Sequence, residues 1–478
     1  MDAYTAEVQD FFDEMVDAAG QPRPPYARLH AWLLAQPRPA LRRKREAADT
    51  VFRNLGVTFA AHGDREEREL PVPFDLVPRI LAAAEWRLVE RGIEQRVRAL
   101  NAFLADVYHD QRIVRAGRLP AAVIERSPAY LPAMAGFTPP GGVYAHVSGL
   151  DLVRTGVAQF HVLEDDLGSP SGVSTMLENR EATLRLFPEL FAAHRVAPVE
   201  RYPEQLRAML ASVAPPACAG EPTLVLLSSG SASAAFFEHA FLADQMGIEL
   251  VLGSDLFVDD GWLYMRTTQG RARVDVVYRR IGDAWLDPRA FRADSLLGVP
   301  GLFEAYRAGR VTLVNAPGAG LAADRLVYSY LPQIIEFYTG EPPLLGHVPT
   351  WRCGEPEALA HVLEHLPEMV LKPLDPGDPE GTLIGPAASH KQLAALRARL
   401  QAQPAEFVAQ PLLALSTCPA FTASGLAPRH VDLRPFVLFG ERLRVTPGGL
   451  TRVALKRGSL LVHAEHGGGT KDTWVLEQ

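Results

Sequence analysis

The stretch YAHVSGLDLVRTGVAQFHVLEDDLGSPSG, residues 144–172, constrains the architecture more than any other part of this chain. Two apolar runs, LDLV and FHVLE, flank a short polar turn at residues 154–159, a pattern that predicts a β-hairpin. Asp151 falls on the first strand, and Glu164 and Asp166 lie two apart on the second. Side chains alternate along a strand, so Glu164 and Asp166 share a face. A register that sets Asp151 opposite them brings three carboxylates to one spot. Such a group repels itself unless a hard cation lies within it, and Mg²⁺ takes oxygen ligands together with phosphate oxygens. Pro170-Ser171-Gly172 then turns the chain away. A plain hairpin with acidic residues on its wet face satisfies the same pattern, and for the segment taken alone it is the commoner outcome.

Composition narrows the alternatives. The chain has 478 residues, enough for two or three domains around a large core. A formal charge of −8 argues against a general nucleic-acid partner, which needs a basic surface. Cys218, Cys353 and Cys418 are dispersed, with neither a disulfide framework nor zinc spacing, and the fourteen histidines form no HExxH-type cluster. The opening MDAYTAEVQDFFDEMVDAAG lacks a basic region followed by an apolar core, and no apolar run approaches membrane-spanning length. The expectation is a cytoplasmic protein without a membrane partner.

Residues 1–115 read as mainly helical, most clearly at 27–53 and 90–110, where Ile93, Val97, Leu100, Leu104 and Val107 recur at helical spacing. Residues 173–195 continue as helix after the hairpin. From 222 onward TLVLLSSGS, AAFFEHAFLADQMG and IELVLGSDLFV read as strand, helix and strand, the unit that builds a parallel sheet. The SSGSASA turn fits a ligand-binding loop at a strand's carboxyl end or a plain connection equally well. WLYMRTTQGRARVDVVYRR reads as a hairpin followed by a strand ending in Arg279 and Arg280. The Pro/Gly-rich GEPPLLGHVPT marks a domain boundary. Beyond it, helices and strands alternate before a β-rich end.

That end carries a specific resemblance. PRHVDLRPFVLFG and PGGLTRVALKRGSLLVHAEHGGGTKD resemble the core of an ATP-grasp ligase, whose next segment would be an acidic hairpin. Here that hairpin stands at 144–172 instead, so content is preserved while order is reversed. The whole chain is similar to the circularly permuted type 2 ATP-grasp proteins, related to glutathionylspermidine-synthase-like amide ligases. Segments such as ALNAFLADVYHD, MLENR, DSLLGVPGL, QPLLALSTCP and GGGTKDTWVL carry the likeness in order. The fold it implies is α/β (α+β), a circularly permuted ATP-grasp fold. Four parts are expected: a mainly helical region 1–135; a permuted core piece 136–215 holding the metal hairpin; a β-α-β pre-ATP-grasp-like domain 216–345; and a nucleotide lobe with the start of the catalytic core, 346–478.

The chemistry implied by the resemblance is ATP-driven activation of a carboxylate to an acyl phosphate, followed by attack of an amine. Positioning and charge neutralisation carry such transfers. On this basis Asp151, Glu164 and Asp166 match the Mg²⁺ ligands. Lys372, Gln410, Arg325 and Gly381 fall at ATP-binding positions. Arg434 and Arg452 match the arginines at the transferred phosphate. Arg429 with Asp432 reads as a supporting ion pair, and Gly467–Gly469 with Lys471 as a place of close backbone approach. The partners implied are small-molecule or peptide carboxylates and amines, with association with a homologous ATP-grasp protein as a further expectation.

Departures from the family pattern gather at the nucleotide positions. The pattern E-D-N-L-R becomes Glu164-Asp165-Asp166-Leu167-Gly168, and the lysine of A-D-D-K becomes Arg325. The glycine loop becomes Pro376-Gly377-Asp378-Pro379-Glu380-Gly381, in which two prolines remove backbone donors and two acids face the phosphates. N-S-S-Q becomes His463-Ala464-Glu465-His466. Two readings follow: an active ligase with a divergent nucleotide loop, and a catalytically degenerate paralogue acting as a binding or regulatory subunit.

Overall fold

The computed structural model describes residues 4, 11–55, 58–61, 68–71, 73–375, 378, 381–463 and 467–477. Among these, ten strands join in one large mixed sheet. Its main strands are β1 (Phe74–Leu81), β2 (Val147–Gly156), β3 (Gln159–Asp166), β4 (Gly425–Arg434), β5 (Leu450–Ala454) and β6 (Gly468–Val475). They lie in the order β3-β2-β4-β5-β6-β1, with Gly346–His347 added beyond β3. The predicted hairpin is therefore β2 and β3. Its first strand pairs antiparallel with β4 and with the strand Phe436–Phe439, through Leu433 opposite Leu152 and Val437 opposite Ser148. Strands from the first third of the chain and from its end thus share one sheet, as a permuted order requires.

The N-terminal region does contain the helices Ala27–Ala35, Arg38–Leu55 and Ala83–Val107. It also contains β1, which the mainly helical reading did not include. All eight residues of β1 are buried, and it runs parallel to β6. Pro78 lies within it, yet the strand survives because the register slips there: Lys471 pairs with Asp75, and Thr473 with Arg79. A proline has no N–H for a ladder, so a bulge on an edge strand is where it fits.

Residues 224–314 form the predicted parallel unit. Its strands Thr312–Val314, Val276–Arg279, Leu224–Leu227 and Glu249–Val251 are neighbours in that order and all parallel. The hairpin Trp262–Thr267/Gly270–Arg273 precedes Val276–Arg279, as the sequence indicates. After the Pro/Gly-rich boundary, a smaller sheet carries Met369–Pro373 and Phe407–Pro411 side by side, packed on the helices Pro356–His365 and His390–Ala402. Among the described residues, no helix is long and apolar enough to cross a membrane.

Candidate active site

The hairpin register sets Asp151 opposite Glu164 and Gly149 opposite Asp166. Because Leu152 faces Leu433 on the next strand, Asp151 lies one step away opposite Arg434. Arg434, Asp151 and Glu164 therefore form a row across three strands, all on one face. One ladder further, Asp432 pairs directly with Arg452. The intervening Asp165 points to the other face, where it meets Arg96 of the helix Ala83–Val107 in a two-pronged ion pair, both contacts 2.6 Å.

Asp151, Glu164, Asp166, Arg325 and Arg434 line one cavity of about 320 Å³. Asp324 and Leu374 complete part of its wall. Arg325 opens a short helix whose N-cap, Asp324, accepts the Leu326 and Val327 amides at 2.7 and 3.2 Å. Ser127 donates to the cap's second oxygen at 2.7 Å, which fixes the helix start. From there Arg325 bonds the Pro373 carbonyl and lies 3.8 Å from Glu164. It thereby ties the strand Met369–Pro373 to the hairpin.

The charges are closely interlocked. Arg434 Nε donates to Asp151 Oδ1 at 2.6 Å and its Nη2 to Oδ2 at 3.0 Å. Arg452 Nη2 lies 2.9 Å from the same Oδ2 and 2.5 Å from Asp432. Burial opposes ionisation of Asp151, but the two guanidiniums overcome it and hold the carboxyl well below the usual range. Asp166 behaves differently. Burial raises its pKa, with Arg434 and Arg280 opposing, and its nearest cation is Arg434 at 4.0 Å. Lys372, half-buried on Met369–Pro373, is pushed down by burial while Glu164 and Asp151 pull it back up.

The expected carboxylate triad therefore takes a different form here. Among the described residues, no three metal-ligating side chains are grouped to hold an ion. Asp151 spends three acceptor positions on two arginines. A divalent cation bound to it, about 4 Å from each guanidinium, would meet repulsion on the order of 8 kcal/mol from each at an effective dielectric near 20. Glu164 and Asp166 are partly open to the cavity, with side chains 45% and 35% exposed. Those two fit a hard cation that completes its shell with phosphate oxygens and water; Asp151, as placed, does not.

The other predicted positions divide. Gln410 is buried on Phe407–Pro411, opposite Val370, and donates to Thr350 Oγ1 at 3.0 Å. Gly381 is exposed with φ +60° and does not line the cavity. Lys471 departs from its expected place at a ligand-facing turn. It is fully buried and donates to the carbonyls of Val77 and Pro419, at 3.0 and 2.7 Å. Arg429 does not pair with Asp432; it donates to the Leu455 and Pro428 carbonyls. Of the altered loop, Pro376, Gly377, Pro379 and Glu380 lie outside the described residues, as do Ala464, Glu465 and His466. Asp378 is described and is ion-paired to Arg399. His463 Nδ1 stands 3.4 Å from Arg452 Nη1.

Glu238 escaped sequence reasoning, and Arg280 was read only as a strand-end arginine. Glu238 accepts the Gly172 amide at 2.6 Å and pairs with Arg280 at 3.0 Å, while Arg280 donates to the Pro170 carbonyl at 2.8 Å. The parallel unit is thus fastened to the turn that ends the acidic hairpin. Asp432 was seen, but with the wrong arginine. Strand alternation across β4 and β5 was the available signal, and it needs a register that only the fold supplies.

A family model described as circularly permuted ATP-grasp type 2 matches residues 78–454. A Synechocystis protein is 48% identical over 469 residues, covering 98% of this chain and 97% of its own. A Mycobacterium tuberculosis protein is 48% identical over 467 residues, covering 97% and 84%. A Frankia alni protein, provisionally named a glutamate–cysteine ligase, is 41% identical over 466 residues. That match covers 97% of this chain but 54% of the relative, so the chain spans about half its length. Among solved structures, a glutathione-synthetase-like effector from Globodera pallida aligns with a TM-score of 0.57 at 12% identity, covering 93% of this chain and 99% of that one. At that identity the likeness concerns the fold alone.

Proposed function

This chain belongs to the circularly permuted type 2 ATP-grasp family, and from that premise we propose that it is an ATP-dependent carboxylate–amine ligase working through an acyl phosphate. The observation that carries the reading is the row Arg434–Asp151–Glu164 beside Asp166 and Arg325 on one cavity. Glu164 and Asp166 are the residues that would hold Mg²⁺, which neutralises phosphate charge when bound. Lys372 and Arg325 reach that corner from the segment 346–478 and from the end of 216–345. They supply cations to the polyphosphate, while Gln410 lies on the strand that would back the adenine. Arg434 and Arg452 orient the carboxylate oxygen against the transferred phosphoryl group and stabilise the acyl phosphate. An amine then displaces phosphate at the acyl carbon. In this division 136–215 supplies the metal hairpin and 1–135 buttresses it.

A second reading is supported by the charge balance. Asp151 and Asp432 already occupy Arg434 and Arg452, and Arg325 stands 3.8 Å from Glu164, so these cations are partly neutralised without any ligand. A paralogue that binds nucleotide without turnover, beside a homologous ATP-grasp protein, has the same balance. Calorimetric titration with Mg·ATP and Mg·ADP, followed by ADP release in the presence of carboxylate and amine libraries, tests both. Binding with turnover that Glu164→Gln abolishes is the expected result. Absence of binding at millimolar nucleotide would sink the ligase reading, and binding without turnover would favour the second.

A further inference from the structure

We propose that Asp151 belongs to the anion side of this cavity: it is the internal occupant of an oxyanion slot built by Arg434 and Arg452, and not a metal ligand. The inference deepens the ligase reading and rests on it.

The geometry is that of an arginine pair closed on an oxyanion. Asp151 receives Nε and Nη2 of Arg434 at 2.6 and 3.0 Å, and Nη2 of Arg452 lies 2.9 Å from it. A guanidinium fork matches two phosphate oxygens as well as two carboxylate oxygens. Whatever phosphoryl or acyl-phosphate group these arginines recognise therefore competes with Asp151 for the same N–H groups. The slot is rigid behind and open in front. Asp432 clasps Arg452 through Nε and Nη2 at 2.9 and 2.5 Å, and Arg79 donates to the Asp432 carbonyl at 3.0 Å, fixing the rear guanidinium. Arg434 keeps Nη1 toward the cavity, 3.4 Å from the Ser171 carbonyl and 4.0 Å from Asp166.

The metal side stands apart from this slot. Glu164 and Asp166 share the next strand, both partly exposed, and neither bonds an arginine as closely as Asp151 does. Two positive forks at Asp151 oppose a divalent cation there, whereas Glu164 and Asp166 each stand near one arginine, at 3.8 and 4.0 Å, and keep open oxygens toward the cavity. Oxyanion binding thus requires Asp151 to surrender part of its hold, which ties the filling of the phosphate position to a movement of the Asp151 side chain away from Arg434 and Arg452.

The test uses inorganic phosphate alone and Mn²⁺ alone on the full chain. Asp151→Asn keeps the side-chain volume and removes the competing charge. Its phosphate affinity by calorimetry is expected to rise at least about tenfold over the unsubstituted protein, since two arginines regain an unfilled site. Its Mn²⁺ affinity by electron paramagnetic resonance is expected to stay unchanged, while Glu164→Gln loses Mn²⁺. Phosphate affinity that does not rise, or Mn²⁺ affinity that falls in D151N as it does in E164Q, overturns the proposal. Should D151N fail to fold, crystals of the unsubstituted protein soaked in Mn²⁺ decide. An anomalous peak on Glu164 and Asp166, with Asp151 still on Arg434, supports it, and a bond from Mn²⁺ to Asp151 overturns it. Failure of the ligase reading is registered separately, as absent Mg·ATP binding by the unsubstituted protein, and leaves the phosphate and Mn²⁺ results interpretable.

Discussion

Lys471 illustrates how much a side chain's meaning depends on which way its strand faces. It follows three glycines and Thr470, a segment expected to let backbone approach a ligand closely. Yet β6 is buried on both faces, and the ammonium turns inward to Val77 and Pro419, 3.9 Å from Asp75. Its work is to satisfy the Val77 carbonyl, at the bulge where Pro78 breaks the ladder, and the Pro419 carbonyl of the strand Thr417–Thr422. Replacing it with methionine strands two buried acceptors and weakens the hold on a buried carboxylate. Lys471→Met should therefore lose about 3–5 kcal/mol of unfolding free energy. Urea denaturation of the two proteins checks it, and a loss below about 1 kcal/mol would show that the bulge is satisfied by other means. The same lesson runs through the cavity. Residue types at Asp151, Glu164, Asp166, Arg434 and Arg452 were legible from motif and alternation. Which carboxylate serves an arginine and which stays open for a cation was not, because that choice rests on cross-strand register.

At the level of elements, the hairpin β2–β3 was readable from its period-two pattern, and its acidic face is where alternation puts it. β1 was harder to read, since Pro78 argues against a strand and only the slip between Lys471 and Thr473 makes room for it. The parallel unit was plain, because apolar runs bounded by small-residue turns allow few alternatives. The hairpin's rear face predicts its own behaviour. Asp165 and Arg96 are both almost fully buried and pin the hairpin to the helix Ala83–Val107. Asp165→Asn leaves Arg96 buried with its partner's charge gone, so a loss of about 3–5 kcal/mol is expected. Glu164 and Asp166 stay chemically intact, but the strand that aims them loosens. Thermal melting should therefore show a lowered midpoint, and Mg·ADP affinity measured well below that midpoint should also fall. A variant that melts lower while binding Mg·ADP unchanged would mean that β3 holds its orientation without this anchor.

Over the whole molecule, the permuted order leaves early and late segments dependent on each other, and buried titratable groups stand at several of the joins. His146, at the head of β2, bonds the Phe439 carbonyl at 2.6 Å, and burial pushes it down to about 4. His239 meets Ser228 Oγ at 2.8 Å in the parallel unit, and burial with Arg280 nearby puts it at about 3. His347 stacks on Tyr328 beside β3 and is lowered to about 3 by burial and Arg96. A histidine whose folded pKa lies below its unfolded value of about 6.5 is protonated first in the unfolded chain. Its contribution is complete above pH ~6.5 and falls away as pH drops toward the folded value. Glu14 adds a second stage. Burial disfavours its charge, but Arg79 and Arg154 hold it at about 2. Its contribution is present above the unfolded carboxylate value of about 4.3 and is lost as pH falls from there toward 2. Acid destabilisation should therefore begin well above the carboxylate range. Three histidines acting together cost up to about 4 kcal/mol between pH ~7.5 and pH ~5.5, at 1.36 kcal/mol for each proton per pH unit. Urea midpoints at those two pH values, measured on the unsubstituted protein and on the His146→Gln/His239→Gln double variant, test the assignment. The double variant is expected to lose a clear part of the pH dependence, the remainder resting on His347 and on His161, His194 and His430, which burial also lowers. A midpoint independent of pH in the unsubstituted protein would place the acid sensitivity in the carboxylates alone.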